Sequence, residues 1–472
     1  MIILNNYDLK MSNTIFKDIK EAIRGTEQDF TKGKLSRAIF LLAVPMVLEM
    51  VMEALFAVWD MYFVSDLGEE AITAVGITEA LMTIVYAIGI GMAMASTGLI
   101  SRRYGENNLE KARRAAGQSI LLGILISLII AFPSVYFAPE ILSLMRAKEN
   151  VINLGFNYTG IMLGGNVVIM LLFINNAILR SVGDAALSMR VLIIANLINI
   201  ILDPCLISGY GPFPELGVKG AAIATNIGRG VGVLYQFYIL FFGKARLKLK
   251  LSNLKFNPYV IGKLIKLSGG GIGQYIISTS SWIGLYWIMG AFEEYVTAGY
   301  TLAIRIYIFF LLPTWGLSSA TSTLVGQNLG ADNPSRAEKS VWITAFVSVS
   351  YMILITGLFL LIPSVFIDIF PVEQSVWHVT KKCLQIICLG SIFYGSQMVI
   401  SQAFNGAGDT YTPTVLNFLC FWILELPLAY LLAVYLKWNE DGVFWSIVIS
   451  ESILGILGIL VFRWGKWKLK KV

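Results

Sequence analysis

The sequence predicts an all-α integral membrane protein with 12 transmembrane helices in two pseudo-symmetric six-helix bundles. Three observations carry this. The 472 residues are 56% hydrophobic and only 14% charged, more apolar surface than a soluble core hides. Twelve apolar windows are each long enough to cross ~30 Å of hydrocarbon. Finally, two segments repeat at a fixed offset of 225 residues. Tyr104-Gly105-Glu106-Asn107-Asn108 falls on Leu329-Gly330-Ala331-Asp332-Asn333, and Val182-Gly183-Asp184 falls on Ala407-Gly408-Asp409. A duplicated half in a chain this apolar points to a transporter built from repeats.

The windows lie at 38–64, 76–100, 115–137, 151–179, 190–208, 217–242, 264–291, 296–325, 341–362, 379–404, 412–436 and 442–462. They lack the alternation of a barrel strand. Residues 1–36 form an N-terminal segment with no apolar signal sequence and a short amphipathic helix near 15–23. Residues 37–243 make the N-lobe, 244–262 a basic linker, 263–463 the C-lobe and 464–472 a tail. Pro45, Pro133, Pro204, Pro313, Pro363 and Pro427 break the spans, which membrane helices tolerate where neighbours satisfy the freed backbone groups.

Lys and Arg set the expected orientation. With both termini cytoplasmic, 28 of the 36 fall on the inner side, in 10–37, 101–114, 180–190, 244–266, 336–339 and the C-terminal tail. Such a bias is a positive-inside signal for a multi-pass protein of the plasma (inner) membrane. The net charge of +6 is thereby an orientation device. Nucleic-acid binding is not expected, because the basic residues are scattered over loops. Cys205, Cys383, Cys388 and Cys420 have no metal-ligand or redox spacing and read as small buried hydrophobes. An enzyme is disfavoured: no nucleophile–base or metal-ligand set appears. Gly183-Asp184 and Gly408-Asp409 read as turns followed by Asp helix caps.

Intramembrane charges are few. A carboxylate at mid-membrane costs roughly 2.5–3.5 kcal/mol on insertion scales and is kept where it has a partner or a watery cavity. Glu49, Glu53 and Asp60 share one stripe of span one, because steps of 4 and 11 residues return to nearly the same angle. Asn199 and Asp203 share a face of span five. Depth places Asp60, Asn199, Asp203 and Thr225 together in the outer half of the first bundle. Two carboxylates, an amide and a hydroxyl suit a proton or Na+. At the same offset Asp60, Asn199 and Asp203 fall on Leu285, Leu424 and Leu428. The ionisable chemistry is therefore expected in the first half, with Glu425 in span eleven the exception.

Several segments together resemble the multidrug and toxic compound extrusion (MATE) family. They are Val44-Pro45-Met46, Val58-Trp59-Asp60-Met61-Tyr62-Phe63-Val64, Asn199-Ile200-Ile201-Leu202-Asp203-Pro204, Gly217-Val218-Lys219-Gly220-Ala221-Ala222-Ile223-Ala224-Thr225 and Gln402-Ala403-Phe404-Asn405-Gly406-Ala407-Gly408-Asp409-Thr410. The likeness runs from about residue 35 to 463. It implies a V-shaped pair of bundles exporting organic cations in exchange for H+ or Na+, with no cofactor. Asp60, Asn199, Asp203 and Thr225 match the N-lobe coupling positions. Glu49, Glu53, Arg229, Gln274, Arg305, Tyr307, Tyr394 and Glu425 are candidate cavity or substrate residues. Other members also use acids in spans seven and ten; this chain has Gln274 in span seven and no acid in span ten. Small cationic amphipathic substrates, the lipid bilayer and a monomeric state are expected. The rival reading is a flippase for lipid-linked glycans or phospholipids, which would need a cationic cavity; Arg229 and Arg305 keep it open.

Overall fold

The repeated loops adopt the same backbone in both halves. Asn107 and Asp332 are left-handed (φ 56° and 53°), and the Asn that follows each caps the next helix. Asn108 accepts from the Lys111 amide at 3.1 Å, and Asn333 accepts from the Arg336 amide at 3.0 Å. Gly183 and Gly408 also share positive φ, 92° and 80°, which glycine adopts without strain. The computed structural model describes residues 16–65 and 67–471.

Among the described residues twelve long helices follow. Helices α1 (Leu35–Ser65), α2 (Glu69–Gly105), α3 (Leu109–Tyr136), α4 (Glu149–Ser181), α5 (Ala185–Ile207) and α6 (Val218–Phe241) form the first bundle. Helices α7 (Pro258–Met289), α8 (Glu294–Gly330), α9 (Pro334–Leu361), α10 (Gln374–Gly406), α11 (Tyr411–Tyr435) and α12 (Glu440–Arg463) form the second. Each predicted window lies on one of these helices, overrunning its end by at most two residues. Ten have the length and apolarity of a membrane span. Helices α6 and α7 are 24 and 32 residues long, but Gly, Ser and, in α6, a buried Arg229 dilute their apolar content.

One hydrophobic core runs from Val64 to Leu264 and another from Leu285 to Ile447. The bundles meet through small residues. A Cβ on Gly105 would strike the Gln327 carbonyl, and one on Gly91 would lie 2.5–2.6 Å from Ile272. Gln327 donates to the Ser181 carbonyl at 2.8 Å, and Thr323 donates to the Arg180 carbonyl at 3.1 Å. All of these contacts lie in the half of each helix nearest the basic loops. The bundles therefore part toward the other end and form a V.

The N-terminal segment is held against this closed end. Among the described residues a helix covers 16–24, one residue beyond the expected end at 23; residues 1–15, with the expected start at 15 and Lys10 of the charge count, lie outside the described residues. Phe30 is buried. Arg336 donates to the carbonyls of Gly33 at 2.8 Å and Lys32 at 2.7 Å, and Arg246 donates to those of Gln28 and Thr26. The basic linker is likewise pinned: Gln118 of α3 donates to the Asn253 and Lys255 carbonyls, both at 2.9 Å.

The expected Asp caps are a correction. Neither Asp184 nor Asp409 makes a side-chain cap. Asp184 instead takes the Arg246 guanidinium at 3.2 Å and its backbone amide at 2.8 Å. Asp409 takes Lys470 at 3.2 Å. Each aspartate ties a distant cationic segment to its turn, and that ion-pair partner is what a local sequence window does not contain. Cys383, Cys388 and Cys420 are buried and Cys205 is half-buried, all as free thiols.

Candidate functional site

The stripe on α1 faces the interior of the first bundle, and each of its acids meets a different environment. Glu49 is 2% exposed and fully engaged. Its Oε1 accepts from Arg180 at 2.9 Å and Asn176 at 3.1 Å, and its Oε2 accepts from Ser188 at 2.9 Å. Glu53, one turn on, accepts from the buried Arg229 guanidinium at 3.1 Å. That guanidinium also lies 4.5 Å from the centroid of the Phe56 ring and contacts the Tyr86 hydroxyl on α2.

Two turns further, Asp60 joins α5 and α6. Asn199 donates to Asp203 Oδ1 at 3.0 Å and to Thr225 Oγ1 at 3.4 Å. Thr225 is in hydrogen-bonding reach of Asp60, and Asp60 is in electrostatic reach of Asp203 and Arg229. All four are buried, with Asp60 8% and Asp203 0% exposed. The four predicted coupling residues thus come together. Periodicity and depth were enough to place them, because the three helices pack with their polar faces inward.

What the cluster lacks is donors. Asp60 Oδ1, Asn199 Oδ1 and Asp203 Oδ2 are all buried without a hydrogen-bond partner. Buried oxygens of this kind cost free energy unless something supplies positive charge to them. Arg229 faces the cluster but is paired with Glu53. Three buried, unpartnered acceptor oxygens in one cluster, two from carboxylates, fit a small hard cation or a proton. Among the described residues no group of three or more His, Cys, Asp or Glu is placed to hold a metal ion, so a Na+ here would use the amide and hydroxyl as well.

The other candidates separate. Gln274 is in the closed half, donating to Asn405 Oδ1 at 3.0 Å and the Thr410 carbonyl at 2.9 Å. Arg305 is exposed and lines an outer surface groove with Thr297, Thr301 and Phe370, away from Arg229. Tyr307 and Tyr394 lie inside the second bundle; Trp315 donates to the Tyr394 hydroxyl at 2.9 Å. Glu425 is buried there too, at 4% exposure.

Sequence reasoning missed several neighbours. Glu79 on α2 and Tyr158 on α4 are within electrostatic reach of Asp60. The partners of Glu49 went unnoticed, as did Glu451, although a lone acid at the centre of span twelve was signal enough.

The MatE family model matches residues 45–205 and 271–431, a separate segment in each bundle. The chain belongs to the MATE family. A probable multidrug resistance protein, YoeA, of Bacillus subtilis is 26% identical, with 94% of this chain and 97% of the relative covered. The probable multidrug resistance protein NorM of Thermotoga maritima is also 26% identical, covering 93% and 94%. A protein named FAD transporter from Shewanella oneidensis is 26% identical over 89% of this chain and 93% of its own. Among solved structures, an outward-facing multidrug resistance MATE family transporter superposes with a TM-score of 0.87 at 23% identity, covering 93% of this chain and 98% of that one. A MOP superfamily transporter from Pyrococcus furiosus, described as having a binding pocket of reverse polarity, gives 0.85 at 23%, covering 94% and 98%. The two structural likenesses speak to fold. MATE proteins are transporters; two of the three relatives are named for multidrug resistance and the third for FAD transport.

Proposed function

We propose that this MATE transporter is a secondary active antiporter that exports organic cations in exchange for inward H+ or Na+. The lobes are 37–243 and 263–463, joined by the linker 244–262. In this reading the closed, basic end faces the cytoplasm of a plasma membrane, and the chain works as a monomer. The coupling ion binds at Asp60, Asn199, Asp203 and Thr225. The observation that supports this is the set of three donor-less buried oxygens on Asp60, Asn199 and Asp203.

The ion acts by differential affinity. A cation that neutralises Asp60 and Asp203 removes their mutual repulsion and lets α1 pack differently against α5 and α6. Coupling follows if the two states of the V bind the ion unequally, and its strength is set by that ratio. Glu79 keeps the surroundings of the cluster acidic, which suits a cationic substrate. The flippase alternative needs a cationic cavity. Arg229 is instead paired with Glu53, and Arg305 lies in an outer groove.

Transport in proteoliposomes under separately imposed proton and sodium gradients tests the reading. Ethidium serves as the cationic substrate, FAD as an anionic comparator, and a lipid-scrambling assay runs in parallel. D60N and D203N are expected to insert and fold but to lose ion-driven ethidium efflux. Undiminished efflux in both variants would refute the site. Lipid scrambling without ethidium export would favour the flippase.

A further inference from the structure

The second bundle holds an acid pair that the proposed coupling site does not use. Glu425 on α11 and Glu451 on α12 each lie near the midpoint of a membrane span. Each is 4% exposed, and the two are in electrostatic reach of each other. The Oε2 atom of each is buried without a hydrogen-bond partner. Tyr300 on α8, 0% exposed, lies within electrostatic reach of both acids, and its hydroxyl is also unpartnered. Tyr307 and Tyr394 flank Glu451, Tyr286 flanks Tyr300, and Cys420 flanks Glu425. Among the described residues no Lys or Arg acts on either acid.

The internal repeat explains why this pocket is short of positive charge. The turn that opens α6 at Gly217 (φ 55°, ψ −136°) has the same backbone as the turn that opens α12 at Asn439 (φ 51°, ψ −139°). Counting twelve residues on from each reaches Arg229 in α6 and Glu451 in α12. The first bundle places a guanidinium where the second places a carboxylate. On the preceding helix, α11 departs from α5: residues Phe418–Glu425 are π-helical. A π-turn inserts one residue, which moves the register by one from the loop offset of 225. Glu425 then takes the place of Asn199, not Leu424. Two neutral or cationic positions of one bundle have become acidic in the other. The backbone irregularity ends on the acid itself, and such π-bulges recur at functional sites.

Two carboxylates at mid-membrane with no basic partner need a neutralising charge. The two carboxylates and the Tyr300 hydroxyl offer oxygen ligands of hard character. We propose that Glu425 and Glu451, with the Tyr300 hydroxyl, form a second cation-binding site in the C-terminal bundle, taking one small monovalent cation, H+ or Na+. It is distinct from the Asp60 site and uses neither α7 nor α10 acids. Gly390 of α10 shapes it, since a Cβ there would stand 3.3 Å from Glu451 Oε2. Neutralisation there would be felt by α8, which also carries the contacts that close the V.

Purified full-length protein carries the test, with radiolabelled Na+ binding and infrared difference spectra of the carboxyl band. The wild type is expected to bind one cation equivalent more than E425Q or E451Q. That equivalent should persist in D60N/D203N, where the C-terminal acids are untouched and their folding is not in question. A carboxyl band displaced by Na+ at constant pH identifies Na+; one that answers only to pH identifies H+. Loss of every cation-sensitive signal in D60N/D203N would overturn the proposal, as would E425Q and E451Q that bind as the wild type does. If D60N/D203N changes nothing while E425Q and E451Q each lose an equivalent, this site stands and the coupling role of Asp60 and Asp203 falls.

Discussion

Replacing Glu49 by Ala separates a structural acid from a transport acid on the same helical stripe. The carboxylate is 2% exposed and satisfies three donors, on Arg180, Asn176 and Ser188. The Arg180 side chain is only 15% exposed, so the truncation leaves a largely buried cation and two buried polar groups without an acceptor. Removing one member of a buried pair costs about 3–5 kcal/mol in soluble proteins. Membrane interiors soften this, because stranded polar groups find other partners in the unfolded reference state. A loss of about 2–3 kcal/mol is therefore expected, or roughly a 30- to 150-fold shift in the folded ratio. Unfolding in mixed micelles of increasing SDS content reads it. E49Q keeps the shape and one acceptor oxygen and should lose about half as much. The double variant E49A/R180A should be less destabilised than the sum of the singles, since it removes the stranded charge. An E49A protein as stable as wild type, yet without ion-driven transport, would refute this and place Glu49 in the ion path.

Two further outcomes follow from the geometry. A Cβ on Gly105 meets the Gln327 carbonyl, where α2 and α8 close the V, so G105A should open that end; spin-label distances between the basic ends of α2 and α8 should lengthen, and unchanged distances would count against the closure. Asp184 lies outside the membrane spans, and burial raises its carboxyl pKa against the opposing pull of the Arg246 amide and charge. With the folded-state pKa above the unfolded one, the folded chain binds this proton more tightly. Its contribution to stability is present at low pH and is lost as pH rises through that window. D184N should flatten the stability profile as pH rises above the ordinary aspartate range, and an unaltered slope would show that Asp184 does not set it.

Much of the architecture was legible because the membrane leaves the backbone little choice. A run of apolar residues in hydrocarbon must be helical, so composition alone located twelve spans, and the 225-residue repeat reappears as matched turns at Asn107/Asp332 and Gly183/Gly408. The Asp60, Asn199, Asp203 and Thr225 cluster was also readable, since helical periodicity and depth are local quantities. What the sequence left open was every polar partner from a distant segment. Nothing near Glu49 in the chain names Arg180, Asn176 or Ser188, and nothing near Asp184 or Asp409 names Arg246 or Lys470.

The chain by itself determined that there would be spans, how many, and which faces carry oxygen. Only the packing of helices decided which of those oxygens would find a donor. It also decided that Glu425, at the end of a π-helical stretch of α11, would lie within electrostatic reach of Glu451 on α12, because register across a helix is set by backbone hydrogen bonds and not by residue count.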